Sequence, residues 1–85
     1  MKHAGEAALD QLEDMLVELR RIPGLKEKKR GVFYRGALAF LHFHEDPAGL
    51  FADVRLGPDW VRLPVNTIAQ KRSLLAQVKS AARTH

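Results

Sequence analysis

The sequence predicts an α+β fold, a two-layer sandwich with two helices on one face of an antiparallel sheet of three or four strands. Near both ends of the chain, apolar residues recur every three or four positions, which is the helical period. Between these segments, alternating apolar and polar residues are separated by turns that contain glycine and proline. With 85 residues the chain forms a single domain, residues 1–85, in the order α-β-β-β-β-α.

Both helices carry boundary signals. The first should end near Arg21, because Pro23 disfavours helical geometry in the residue before it and Gly24 gives a flexible exit. Its apolar stripe consists of Ala8, Leu9, Leu12, Met15, Leu16, Leu19 and Ile22. The second helix begins after Thr67, which forms with Gln70 the pattern of a capping box.

Four strands are predicted between the helices. Residues 32–34 and 37–44 form a hairpin, with one long bent strand as the alternative, and residues 50–56 and 60–65 follow. Pro64 marks the last strand as an edge or as a strand end. The charged segment 26–30 is predicted to be a solvated connector, with a phosphate-contacting loop as the alternative.

Composition excludes several classes of protein. The chain has no cysteine, so disulfides and thiolate zinc sites are excluded. Its longest apolar run is too short to span a bilayer, and the polar amino terminus predicts a cytoplasmic protein.

The net charge of +4 is compatible with an anionic partner. The alternative that we favour is that the acidic first helix and the basic last helix complement each other or are solvated.

The third predicted strand indicates which sheet face the helices cover. Its apolar residues Ala52, Val54 and Leu56 alternate with Asp53 and Arg55. Burying the charged pair would cost far more than burying the apolar set. The helices should therefore cover the face that carries the apolar set.

On the strand before it, the histidines belong on the other face, which we call the outer face. Ala39, Leu41 and Phe43 then point inward, which requires a turn of four or six residues and places His42 beside Asp53. In the last strand, Val61, Leu63 and Val65 point inward. The outer face is expected to carry Leu38, Phe40, His42, His44, Phe51, Asp53, Arg55, Trp60 and Arg62. This set is too apolar to face water alone.

The interpretation we favour from the sequence is a non-enzymatic homodimer that packs two outer faces together. Phe40, Phe51 and Trp60 would be its anchors and Arg55 and Arg62 their charged neighbours, because aromatic residues and arginine are enriched at interfaces. Small size also favours oligomerisation as a source of stability.

Two other classes remain open. His42 and His44 project to one side of a strand, and Asp53 could complete a site for zinc, iron or nickel, or for a small ligand. Acid–base catalysis by His42 and Asp53 is a further option, but no nucleophile or phosphate loop accompanies them. No catalytic residue and no cofactor are predicted. Nucleic acid could stack on the aromatic face, although the acidic residues around it disfavour this class.

Several short motifs resemble a small bacterial family known as "luciferase domain" proteins. They are Pro23-Gly24, Gly31-x-Phe33, Leu41-His42-x-His44, Ala52-Asp53-x-x-Leu56 and Trp60-Val61. The chain lacks the segment with a further histidine that usually precedes the Trp strand in that family, and it has no flavin-binding pattern. A fainter likeness is to the YjbR-like proteins. Neither family implies an assigned activity, but the first implies that His42, His44 and Asp53 are the positions of interest.

Overall fold

The computed structural model describes residues 1–83, in which three helices accompany a six-stranded antiparallel sheet. The elements in chain order are β1 (Lys2–His3), α1 (Glu6–Gln11), α2 (Glu13–Arg20), β2 (Leu25–Lys29), β3 (Val32–Arg35), β4 (Leu38–Asp46), β5 (Gly49–Arg55), β6 (Trp60–Pro64) and α3 (Ile68–Arg83). The α+β class and the antiparallel sheet are confirmed. The predicted order α-β-β-β-β-α is wrong because it omits two strands and merges two helices.

The predicted helix boundaries are close to those observed. The first helix ends at Arg20, but it is interrupted at Leu12, whose φ of −102° and ψ of 6° lie outside the helical range. No proline or glycine marks this break, and the Leu12 side chain is fully buried. The capping box of α3 is confirmed, since the Gln70 N–H donates to Thr67 Oγ1 at 3.1 Å and Gln70 Oε1 accepts from the Thr67 N–H at 3.1 Å.

The segment predicted as a connector, residues 26–30, instead supplies most of strand β2 at one edge of the sheet. The strand order is β2-β3-β4-β5-β6, and β1 pairs with the far end of β4. Charged side chains are common on edge strands because they discourage pairing with another chain. Within β2, Glu27 accepts hydrogen bonds from Arg20 of α2, at 2.5 Å for the Arg20 Nε.

The acids of the first two helices pair with arginines near them in the fold. Arg30 donates to Asp10 at 2.9 Å and to Glu13 at 2.8 Å, and it also contacts Glu6. Arg21 pairs with Glu18. Among residues 1–83, none of the ion pairs joins these acids to the cations of α3. Of the two arrangements expected for the charged helices, ion pairing between the first and the last is therefore not seen among the described residues.

The register of the central hairpin agrees with the sequence prediction. His42 pairs with Asp53, and Leu41 with Val54. The turn is shorter than expected, with two residues, Pro47 and Ala48, between paired Asp46 and Gly49. Because two is also an even number, the faces of β5 and of residues 41–46 of β4 are as predicted.

Strand β4 carries a bulge at Phe40, and here the prediction is wrong. Tyr34 pairs with Ala39 while the adjacent Phe33 pairs with Leu41, so Phe40 is an extra residue on β4. The extra residue of a bulge interrupts the normal alternation of side chains between the two faces of the sheet. Phe40 is 2% exposed and belongs to the core, whereas Ala39 shares the face of Tyr34.

One apolar core lies between the helices and the inner face of the sheet. It includes Leu12, Leu16 and Leu19 from the helices, Leu41, Phe43, Ala52 and Val54 from the strands, and Leu74 and Val78 from α3. Val65 is buried as predicted, but Val61 is 38% exposed because the helices leave the start of β6 uncovered. Among the described residues, no helix is long and apolar enough to cross a membrane.

Candidate functional site

Three histidine rings meet on the outer face of the sheet. His42 and His44 are alternate residues of β4, and β1 brings His3 directly opposite His44. The His3 ring stacks on the His44 ring with centroids 4.8 Å apart, and the rings of His42 and His44 meet edge to face at 4.9 Å. One nitrogen from each ring lies within 4.8 Å of the others.

Two of these imidazoles have buried nitrogens without hydrogen-bond partners. They are Nδ1 of His42 and both nitrogens of His44. The pKa of His42 is lowered by its burial and by the neighbouring His44 and His3, although Asp53 opposes this effect. These surroundings therefore favour the neutral form of the His42 ring, which has a nitrogen lone pair that can bind a metal ion.

Asp53 lies beside the histidines but is held by Arg62 from the adjacent strand β6. Arg62 Nε donates to Asp53 Oδ1 at 2.7 Å, and Nη2 donates to Oδ2 at 2.9 Å. This bidentate pair holds the pKa of Asp53 below its usual range, against the opposing effect of burial. His44 Nε2 is 3.1 Å from Asp53 Oδ2, at an angle too bent for a well-formed hydrogen bond.

The other predicted outer-face residues surround the histidines, with the exceptions of Phe40 and Leu38. Leu38 pairs with Arg35, which lies on the same face of β3 as the core residue Phe33, so its predicted place on the outer face is wrong. The Trp60 ring packs against the His42 ring with centroids 5.0 Å apart. The Arg55 guanidinium lies over the Trp60 ring, 4.5 Å from its centroid. Phe51 pairs with His44 and is half-buried. Leu38 is 63% exposed but lies at the opposite end of β4 from His44. With Phe40 in the core, the row of exposed aromatics is shorter than the sequence predicted.

The histidine cluster fits a transition-metal ion better than the predicted set of His42, His44 and Asp53 does. In a tetrahedral zinc site, bonds of about 2.0–2.1 Å place the ligating nitrogens about 3.4 Å apart. The nitrogens lie within 4.8 Å of one another, so they would have to move closer together to hold an ion. Asp53 would have to release Arg62 to become a ligand, whereas His42 Nδ1 and both nitrogens of His44 have no hydrogen bond to give up.

His3 is the site residue that the sequence reasoning missed. It belongs to a strand of two residues, which is too short to show any periodicity. The one signal in the sequence is that His3 is a further histidine outside β4, and a zinc site needs at least three ligands.

The chain matches no family model, and no curated protein or solved structure matches it. The resemblance to the "luciferase domain" family therefore stays a prediction.

Proposed function

We propose that the protein binds a divalent transition-metal ion, preferably zinc, through the imidazoles of His3, His42 and His44. The observation that carries this proposal is the convergence of three imidazole nitrogens to within 4.8 Å. Imidazole nitrogen suits zinc, copper, iron and nickel, and three histidines form a well-known zinc set. In the absence of cysteine, histidine is the strongest nitrogen or sulfur ligand that the chain offers.

Three protein ligands leave the fourth position of a tetrahedral ion open, which is the arrangement of catalytic rather than structural zinc. A bound zinc ion would polarise a water molecule or another ligand at that position. Beside the histidines that would hold the ion lie the indole of Trp60, next to His42, and the Asp53–Arg62 pair, next to His44.

The test is a calorimetric zinc titration of protein without an affinity tag, comparing His3→Gln with Lys2→Gln. Lys2 is a matched control because it neighbours His3 on β1, exposes 79% of its side chain and lies 3.9 Å from its acidic partner Glu45. We expect one zinc ion per chain in the wild type and in Lys2→Gln, with much weaker binding in His3→Gln. Equal binding in all three proteins, or none in the wild type, would refute the proposal.

As a second candidate, we propose self-association through the β6 edge of the sheet. Strand β6 pairs with β5 along one edge, and its first two residues, Trp60 and Val61, are 39% and 38% exposed. Adjacent exposed apolar residues on an edge strand favour contact with a second copy.

Native mass spectrometry tests the second candidate against the chain mass of 9.6 kDa. A dimer that dissociates in Trp60→Asp but persists in Leu38→Asp would support it. A monomer at high protein concentration would exclude it and would leave the outer face free for ligands.

A further inference from the structure

We propose that Asp53 is a positioning residue for His44 and not a metal ligand: it orients the ring so that Nε2 faces the carboxylate and Nδ1 is left to bind the ion. This inference rests on the proposed metal site. The sequence suggests Asp53 as a metal ligand, and the inference replaces that role. Arg62 would be the residue that holds the Asp53 carboxylate in place.

The first support is that both oxygens of Asp53 are already in use. Arg62 binds them in a two-point contact of 2.7 and 2.9 Å, and the Asp53 side chain is only 13% exposed. Direct coordination would break this contact and leave the Arg62 guanidinium without its carboxylate. Bidentate arginine–carboxylate pairs are among the stronger polar contacts in proteins, so the pair favours a fixed Asp53.

The second support is the surroundings of the two nitrogens of His44. Nε2 lies 3.1 Å from Asp53 Oδ2, while Nδ1 is buried and has no partner. An ionised carboxylate can only accept a hydrogen bond, so the neutral ring carries its proton on the nitrogen that faces Asp53. Nδ1 then holds the lone pair. Nε2 makes no hydrogen bond in the present orientation of the ring, and it would donate to Oδ2 if the ring rotated toward the carboxylate.

The third support is the arrangement of these residues on three adjacent strands. Asp53 on β5 pairs with Arg62 on β6 and with His42 on β4, and His44 lies diagonally across from it. The strand register therefore places the Asp53 carboxylate between the Arg62 guanidinium and the His44 imidazole. Carboxylate partners of metal-bound histidine commonly fix its tautomer and orientation in this way.

The tautomer can be measured directly in metal-free wild-type protein. Long-range proton–nitrogen correlation spectra at about pH 8, where histidine is neutral, distinguish a proton on Nε2 from one on Nδ1. The His44→Asn variant identifies the His44 signals. We expect His44 with its proton on Nε2, and a proton on Nδ1 would overturn the proposal without any variant of Asp53.

The effect on metal binding is tested with Asp53→Asn, and Asp14→Asn is the matched control. Asp14 is exposed on α2, which packs against the opposite face of the sheet, and its substitution changes the net charge equally. We expect zinc affinity to fall roughly 10–100-fold in Asp53→Asn and to stay unchanged in Asp14→Asn.

The outcomes separate this inference from the proposed function. If wild-type protein binds no zinc, the metal site itself is refuted. If it binds zinc and a folded Asp53→Asn binds equally well, the positioning role alone is refuted. Should Asp53→Asn fail to fold, the tautomer of His44 in the wild type decides: a proton on Nε2 supports the role and a proton on Nδ1 refutes it.

Discussion

His3 on β1 lies directly opposite His44 on β4, and the two rings stack with centroids 4.8 Å apart. A strand of two residues has little stability of its own. The Ala4 N–H, which donates to the Phe43 carbonyl at 3.0 Å, and the Gly5 N–H, which donates to Glu45 at 2.7 Å, add two more links to β4. The first strand and the candidate metal site therefore depend on each other.

Zinc should protect the Ala4 amide from hydrogen exchange. If opening of β1 removes His3 from the site, zinc at 100 times its dissociation constant should slow exchange about 100-fold. The Ala4 amide of His3→Gln is the control, and it should slow much less. An unchanged exchange rate of the wild-type Ala4 amide at saturating zinc would contradict a site that includes His3.

The free energy of unfolding should decrease as the pH falls below the ordinary pKa of histidine. The folded-state pKa of His42 lies below the ordinary histidine value of 6.5, so this residue contributes stability that is fully present above about pH 6.5 and is lost as the pH drops toward the lowered pKa. Urea unfolding of metal-free protein between about pH 8 and 5 measures the slope. The slope should be smaller in His42→Asn, and an unchanged slope would contradict the assignment.

Phe40 should behave as a core residue and not as an interface residue. Phe40→Ala should cost about 3–5 kcal/mol, a large part of the roughly 4–13 kcal/mol expected for a domain of this size. The milder Phe40→Leu gives a variant that can be measured by urea unfolding. Leu38→Ala is the control on the same strand, since Leu38 is 63% exposed and should lose less than about 0.5 kcal/mol. A Phe40→Ala loss as small as that of Leu38→Ala would place Phe40 outside the core.

Arg30 should stabilise the fold in a way that depends on salt. It joins the β2–β3 turn to Asp10 and Glu13 and contacts Glu6, all on exposed or half-buried side chains. Arg30→Gln should therefore destabilise the protein more at about 0.05 M salt than at about 1 M, because salt screens such pairs. Lys29→Gln, an exposed neighbour, should show little of this dependence. A salt-independent loss would indicate packing of the side chain and not charge.

The parts of the site that follow from the sequence are those fixed by the cost of burying charge. Asp53 and Arg55 cannot face the core, so Ala52 and Val54 must, and an even turn then places His42 beside Asp53. The free-energy cost of burying polar side chains likewise predicts that both histidines of β4 lie on the outer face. This part of the candidate site was predictable from one sequence.

The parts that the sequence did not reveal depend on contacts between distant segments. Nothing local marks the bulge that turns Phe40 into the core. Strand β2 carries four charged residues in a row, Lys26 to Lys29, and forms because β3 and Arg20 provide partners for it. His3 reaches the site only because the first residues of the chain pair with the end of β4.

X-ray absorption at the zinc edge tests the three-histidine site most directly, because it counts the imidazoles bound to the ion. With one equivalent of zinc, the wild type should show three imidazole nitrogens and one further oxygen or nitrogen ligand at about 2.0–2.1 Å. His3→Gln should show two imidazoles or no bound zinc. A wild-type spectrum with fewer than three imidazoles, or identical spectra for both proteins, would contradict the account.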